Sequence, residues 1–372
     1  MPARYTMRLC CTAIFGSFLL TGAALLGTAQ SAAAQTPTAV SSATVPAQIP
    51  LPTVDHDPVR SPDGDQPTAP SIDKMPGGYV LHKEVEEVVL NVTVLDGTKL
   101  VQDLTRDNFE LFEDGIRQKV LSFQHTDLPV SIALVVDNSG SMFRKRPSVN
   151  KSALDLIAAS NPEDEAFVVN FSDEAFIDQD FTSDSGKLRD GLTHIDSRGG
   201  TALYDAVVAS ADKLVAAAKH PKQVLILITD GEDNASTLSL EQTIRRVQEL
   251  SGPVIYSIGL LFGDEMSKAE VKHARRALEM LSTETGGVAF FPKSIEQVDE
   301  IAAEVARDIR SQYTIGYHST KPTSEPGFRR IQVNVEGKSG NKLVARTRTG
   351  YFPVGHVAQS NAPRQSSPSG AH

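Results

Sequence analysis

The spacing of apolar positions changes twice along this chain, and each change marks a boundary. From Val85 to Leu95 the residues are β-branched and roughly alternating, and Asp96-Gly97 then turns the chain. Phe109–Phe112 precedes a second turn at Asp114-Gly115, and Lys119–Phe123 follows it. Two such runs around Asp-Gly are a strong short-range hairpin signal. Residues 78–128 therefore read as a small β unit. The grammar then shifts to continuous apolar runs at Ile132–Val136, Ala166–Val169, Val224–Ile228 and Val254–Tyr256, with a weaker fifth at Val288–Phe291. Runs of this kind fit strands buried on both faces of a mostly parallel sheet. Helical spacing lies between them: Leu203, Val207, Leu214 and Ala218 share one face, as do Leu240, Ile244 and Val247 behind a Ser239/Gln242 capping box. Val298, Ile301, Val305 and Ile309 follow a Ser294/Gln297 box. Alternating strand and helix predicts an α/β domain over 129–311 with a doubly wound, mostly parallel sheet and right-handed crossovers.

After Arg310 the alternation returns at Tyr313–Tyr317, Arg330–Val335 and Lys342–Arg346. Neither flank offers enough strands to stand alone, and each has one apolar face needing cover. The expectation is one β-sandwich-like domain, assembled from 78–128 and 312–353, with the α/β domain inserted between its halves. Residues 35–77 and 354–372 are rich in Pro, Ser, Thr, Ala and Asp or otherwise without hydrophobic period, and read as a disordered linker and tail.

Residues 1–34 change the picture of location. Arg4 and Arg8 precede an uncharged, largely apolar stretch from Leu9 to Leu26, and Ala32-Ala33-Ala34 supplies a cleavage pattern before Gln35. That is the plan of a signal peptide, with an uncleaved membrane anchor as the alternative. The expectation is a secreted or periplasmic protein of bacterial type, without a stable membrane span once the signal is cleaved. The chain's 2 cysteines, Cys10 and Cys11, fall inside that segment, so the mature chain would have neither disulfides nor thiol chemistry. The net charge of −10 disfavours nucleic acid and anionic membrane surfaces as partners. Asn91, Asn170 and Asn234 open glycosylation sequons, which read as chance matches because the last two adjoin a buried strand and the candidate site.

The candidate chemistry sits at strand ends. The first α/β strand runs into Asp137-Asn138-Ser139-Gly140-Ser141, and the run ending at Thr229 delivers Asp230-Gly231. Between them in sequence, Gly199-Gly200-Thr201 opens the Leu203 helix. In an open α/β sheet the carboxyl ends of the strands form the ligand-binding edge. Asp137, Ser139, Ser141, Thr201 and Asp230 should therefore converge at one solvent-facing rim. All are oxygen donors, which suit Mg²⁺, Mn²⁺ or Ca²⁺, whereas Zn²⁺ would want nitrogen or sulfur. Neutral hydroxyls leave much of a cation's charge uncompensated, so an outside carboxylate would be drawn to it.

These residues, in this order, resemble the metal-ion-dependent adhesion site of von Willebrand factor type A domains and integrin I domains. The likeness spans 129–311, roughly half the chain. It implies that Ser139, Ser141 and Thr201 hold the metal directly or nearly so, and that Asp137 and Asp230 often act through water. It further implies a protein or peptide partner presenting Asp or Glu, and a final helix, here Val298–Ile309, whose movement is linked to the site. The layout with β segments on both sides is similar to bacterial secreted proteins of the von Willebrand type A-related kind.

Two other readings compete. A strand-end Asp could accept a phosphoryl group in a metal-dependent phosphoesterase, but the acid–base position two residues on is Ser139. His125, His194, His220 and His273 are scattered, and no H-E-x-x-H, G-x-S-x-G or Walker pattern occurs. The expectation is no enzyme. A purely structural metal is the third reading. Glu232 and Asp233 read as solvated loop residues, and Arg144-Lys145-Arg146 as either a solvated helix start or a steering patch for an acidic partner.

Overall fold

The computed structural model describes residues 72–75, 78–81 and 87–353, less 159–160, 195–198, 263–265 and 339. The expected signal peptide, most of the expected linker and the expected tail lie outside the described residues. At the linker's end, Ile72–Met75 and Gly78–Leu81 pair antiparallel, so strand structure crosses the expected boundary at 77/78. The apolar residues Ile72, Met75, Val80 and Leu81 stand here within a stretch that composition alone reads as polar.

In chain order the main elements are β1 (Glu87–Asp96), β2 (Phe109–Glu113) and β3 (Val120–Gln124), then β4 (Val130–Asp137), α1 (Arg146–Ala158), β5 (Glu165–Phe171), β6 (Ala175–Thr182), α2 (Ser185–Thr193), α3 (Leu203–Ala217), β7 (Lys222–Thr229), α4 (Leu240–Glu249), β8 (Val254–Gly259), α5 (Lys268–Thr285), β9 (Ala289–Phe290) and α6 (Val298–Arg310). β10 (Tyr313–His318), β11 (Arg329–Glu336) and β12 (Lys342–Arg346) close the chain.

The central sheet has the order β6-β5-β4-β7-β8-β9. Its neighbours run parallel from β5 to β9, and the β5–β6 pair at one edge is antiparallel. Successive residues of the apolar runs enter opposite cores. Ile132, Leu134 and Val136 pack with α1, α2 and α6, whereas Ala133 and Val135 pack with α3, α4 and α5. A strand buried on both faces has no polar side to show, which is why these runs are continuous. The chain order reverses between β4 and β7, so the crevice at their carboxyl ends is the sheet's switch point.

Several elements escape the hydrophobic pattern. The inward face of α1 includes Arg146, Asn150 and Ser152 beside Val149, Ala153 and Leu156, which blurs its period. β6 is a half-buried edge strand with acids at Asp178 and Asp180. α5 announces itself through a Ser267/Glu270 capping box, with Ala274, Ala277, Leu278 and Leu281 inward. The Ser239/Gln242 box of α4 forms. The Ser294/Gln297 box does not: Ser294 opens a 3-10 turn, and the Gln297 side chain instead accepts from the Lys293 N–H.

The strands on either side of the α/β segment are hydrogen-bonded neighbours. β10 pairs with β1 and β3, and β11 pairs with β2. The strands form one path, from Ile116–Gln118 through β2, β11, β12, β1 and β10 to β3. The corner is β12, which pairs with β11 through Lys342 and Leu343 and with β1 through Val344–Arg346. A strand that changes partner along its length joins what would otherwise be two sheets. Leu90, Val92, Leu111, Tyr313, Ile315 and Tyr351 fill the enclosed core.

Candidate metal centre

β4 is buried along its whole length and carries Asp137 to the switch point. The next residues turn at once. Ser139 precedes a 3-10 turn at Gly140–Met142, and the fully buried Met142 anchors that turn in the core. The Ser139 N–H donates to Asp137 Oδ1 at 2.8 Å, and the Ser139 and Ser141 hydroxyls lie 3.2 Å apart. Ser141 Oγ donates to Asp230 Oδ1 at 2.8 Å, which brings the end of β7 to the end of β4. Thr229 Oγ1 donates to Asp137 Oδ2 at 2.5 Å, so both oxygens of Asp137 are engaged.

Thr201 arrives from a different loop. Its N–H donates to Asn234 Oδ1 at 2.8 Å, and its carbonyl accepts from the Asn234 N–H at 3.0 Å. A Cβ on Gly231 would stand 3.5 Å from Thr201 Oγ1, which puts that hydroxyl over the segment following Asp230. The approach needs its glycines. Gly199 has a φ of +77°, and a Cβ there would overlap the Asp173 carboxylate. At Gly200 a Cβ would lie 2.6 Å from Asn234 Oδ1.

The structure thus brings together Asp137, Ser139, Ser141 and Asp230 in one hydrogen-bonded chain, with Thr201 beside it. The expected solvent-facing rim is narrower than the sequence suggests: Asp137, Ser139, Thr201 and Asp230 are buried, and only Ser141 is exposed. Burial, against the hydrogen bonds from Ser139 and Thr229 and with the Asp230 charge adding to it, pushes the Asp137 carboxyl up to about 6.

The basic triplet separates into three roles. Arg144 is exposed. Lys145 Nζ donates to Asp230 Oδ2 at 2.5 Å. Arg146 is fully buried and donates to Asn170 Oδ1 at 2.7 Å, to Leu192 O at 3.0 Å and to Asp137 O at 3.4 Å. Its burial, opposed by the charges of Asp137 and Asp178, lowers the guanidinium to about 10. Asp233, expected to be solvated, instead accepts from the Tyr204 N–H at 3.2 Å and from Ser236 Oγ at 2.5 Å, holding the first turn of α3. Glu232 pairs with His273 at 3.3 Å. Thr229 reads in the sequence only as the strand end before Asp230, and sequence reasoning missed Asp173 and the supporting role of Asn234. Nothing in their spacing marks them, because their partners come from other segments.

The donor chemistry fits a hard divalent cation. An octahedral ion with oxygens at 2.0–2.1 Å needs adjacent donors about 2.9 Å apart. The Ser139 and Ser141 hydroxyls, 3.2 Å apart, lie close to that value. Among the described residues no group of three or more His, Cys, Asp or Glu side chains gathers to make a His/Cys site or an acid-rich cage.

Residues 132–232 match the von Willebrand factor type A domain family. That span holds all five residues of the candidate site. No curated protein matches the chain. Among solved structures, a von Willebrand factor type A protein from Catenulispora acidiphila is similar at 14% identity and a TM-score of 0.42, over 60% of this chain and 66% of that one. Proximal thread matrix protein 1 from the mussel byssus, solved with a zinc-occupied adhesion-site motif, matches at 20% identity and 0.40, over 53% of this chain and 49% of its own. The vWF domain of a type V pilus tip protein from Porphyromonas gingivalis matches at 13% and 0.40, over 50% and 96%. The chain therefore spans less than two thirds of the first of these relatives and about half of the mussel protein.

Proposed function

From a von Willebrand factor type A domain as premise, we propose that this protein is a non-catalytic, metal-dependent binding module that captures an acidic side chain of a protein or peptide partner. The observation that carries the reading is the hydrogen-bonded run Asp137–Ser139–Ser141–Asp230 at the switch point of the sheet. Ser139, Ser141 and Thr201 would hold Mg²⁺ or Mn²⁺, with Asp137 and Asp230 behind them. The cation, when bound, supplies an electrophilic position that a carboxylate completes. The chain's own part is to converge neutral hydroxyls, so that charge is left for the partner to neutralise. Phe143 stands 66% exposed two residues beyond Ser141 and offers the partner an apolar contact beside its acid. The sequence-read leader fits a role outside the cytoplasm. Among the described residues no helix is long and apolar enough to cross a membrane.

Calorimetric titration of the mature chain with Mg²⁺ and Mn²⁺ tests the reading. Binding should be measurable, and should disappear in Ser139→Ala and Asp230→Ala while Ser139→Ala keeps stability within about 1 kcal/mol. Absence of heat with either ion, or unchanged binding in Ser139→Ala, would overturn it.

A further inference from the structure

The Asp230 carboxylate is already held by a cation of the chain itself. Lys145 Nζ donates to Oδ2 at 2.5 Å while Ser141 Oγ occupies Oδ1 at 2.8 Å. The pair is sheltered, with the Lys145 side chain 15% exposed and that of Asp230 0%. The ammonium also stands 5.6 Å from the centre of the Phe262 ring. The Lys145 backbone is fixed where the site loop meets α1: its N–H donates to Met142 O at 2.8 Å, and its carbonyl accepts from the Val149 N–H at 3.1 Å. Behind it, the buried Arg146 donates to the Asp137 backbone carbonyl at 3.4 Å.

A divalent cation drawn to Asp230 would meet this ammonium a few ångströms away in a sheltered place, where like charges repel far more strongly than in water. Occupancy by both is unfavourable. We infer that Lys145 is a tethered competitor for the metal: its ammonium holds Asp230 until a cation and a partner's carboxylate arrive together, and the carboxylate then offers the ammonium a contact in exchange for Asp230. This rests on the metal-dependent reading above. It has two consequences. The fold does not depend on metal, because Lys145 compensates Asp230 without it. Metal and acidic partner support each other's binding, because each weakens the Lys145–Asp230 pair that opposes the other.

The test is Mn²⁺ titration of the full mature chain, followed by electron paramagnetic resonance of the free ion, in wild type, Lys145→Met and Lys145→Gln, with Asp230→Asn as a non-binding control. Thermal melting in EDTA and in Mn²⁺ gives a second readout. Both Lys145 variants should bind Mn²⁺ about tenfold or more tightly than wild type. They should also melt lower in EDTA and recover with Mn²⁺, because the buried Asp230 then lacks a cation, whereas wild-type melting should barely depend on EDTA. Equal Mn²⁺ affinity in wild type and both variants overturns the competitor role and leaves the metal reading intact. If none of the three binds Mn²⁺, the metal reading itself fails and takes this one with it. If both variants stay unfolded with and without Mn²⁺, Lys145 is a structural counterion and the proposal is wrong.

Discussion

At the scale of single residues, the site is organised as much by what lies beneath it as by the oxygens it presents. Arg146 is the clearest case. It is fully buried and reaches Asn170 on β5, the carbonyl of Leu192 at the end of α2 and the carbonyl of Asp137 at the end of β4. Asn170 in turn donates to Asp178 Oδ2 at 2.6 Å and to Gly191 O at 2.9 Å. A buried charge whose partners are removed is costly, and so are partners left behind without it. Arg146→Met should therefore destabilise the protein by about 3 kcal/mol or more, read from urea unfolding. A change under about 1 kcal/mol would show that the guanidinium is dispensable to this network. The sequence places Arg146 in a basic triplet with nothing to distinguish it from Arg144. The difference arises because α1 turns position 146 inward, while Arg144 precedes the helix and stays exposed.

At the scale of elements, two kinds of junction deserve separate treatment: those inside the α/β segment and those joining it to the flanking strands. Inside, capping explains the starts of α4 and α5, and paired carboxyl ends explain why β4 and β7 present their loops side by side. The junction to the flank runs through Gly286, which ends α5 with a φ of +90°. A Cβ there would stand 2.6 Å from the Arg348 N and 2.7 Å from the Thr347 carbonyl carbon, both backbone atoms with no room to yield. The Thr349 N–H also donates to Glu284 O at 3.2 Å, fastening the same helix end to the chain after β12. Gly286→Ala should incur roughly 1 kcal/mol of left-handed strain and a further steric cost, a destabilisation of about 2 kcal/mol or more. Thermal melting followed by circular dichroism measures it, and an unchanged midpoint would mean that the α5 terminus and the Thr347–Arg348 segment separate easily.

At the scale of the whole molecule, a buried polar seam connects the last helix to both sides. Asp308 on α6 accepts from the Tyr256 hydroxyl of β8 and from Arg346 of β12, each at 2.5 Å, and Gln312 donates to the same tyrosine oxygen at 3.0 Å. One and two residues beyond Asp308, Lys222 Nζ of β7 donates to the Ile309 carbonyl and Arg310 donates to Asp127 at 2.8 Å. The helix whose movement the resemblance implies is thus held at its carboxyl end by the central sheet and by flanking strands together. Residues 78–353 should unfold in one calorimetric transition, and Arg346→Ala should lower that transition as a whole. Two separated transitions, with Arg346→Ala shifting only one, would mean that the flanks and the α/β segment are energetically independent.

What the sequence by itself determined follows from local physics. Continuous apolar runs fit strands covered on both faces, and the alternating flanks fit strands covered on one. The order of Asp137, Ser139, Ser141, Thr201 and Asp230 at strand and helix ends named the oxygens that the fold gathers, because a strand end in such a sheet has one place to deliver its loop. Tertiary structure alone decided the rest. It joined the flanking strands into one continuous path by letting β12 change partners midway. It drew four of the five candidate oxygens' residues below the surface and left Ser141 outside. It also set the Lys145 ammonium on Asp230 and the Arg146 guanidinium behind Asp137. Each of these is a contact between segments far apart in sequence or between side chains whose direction depends on packing. Periodicity reports which face a residue shares with its near neighbours, and it carries no information about what that face will meet.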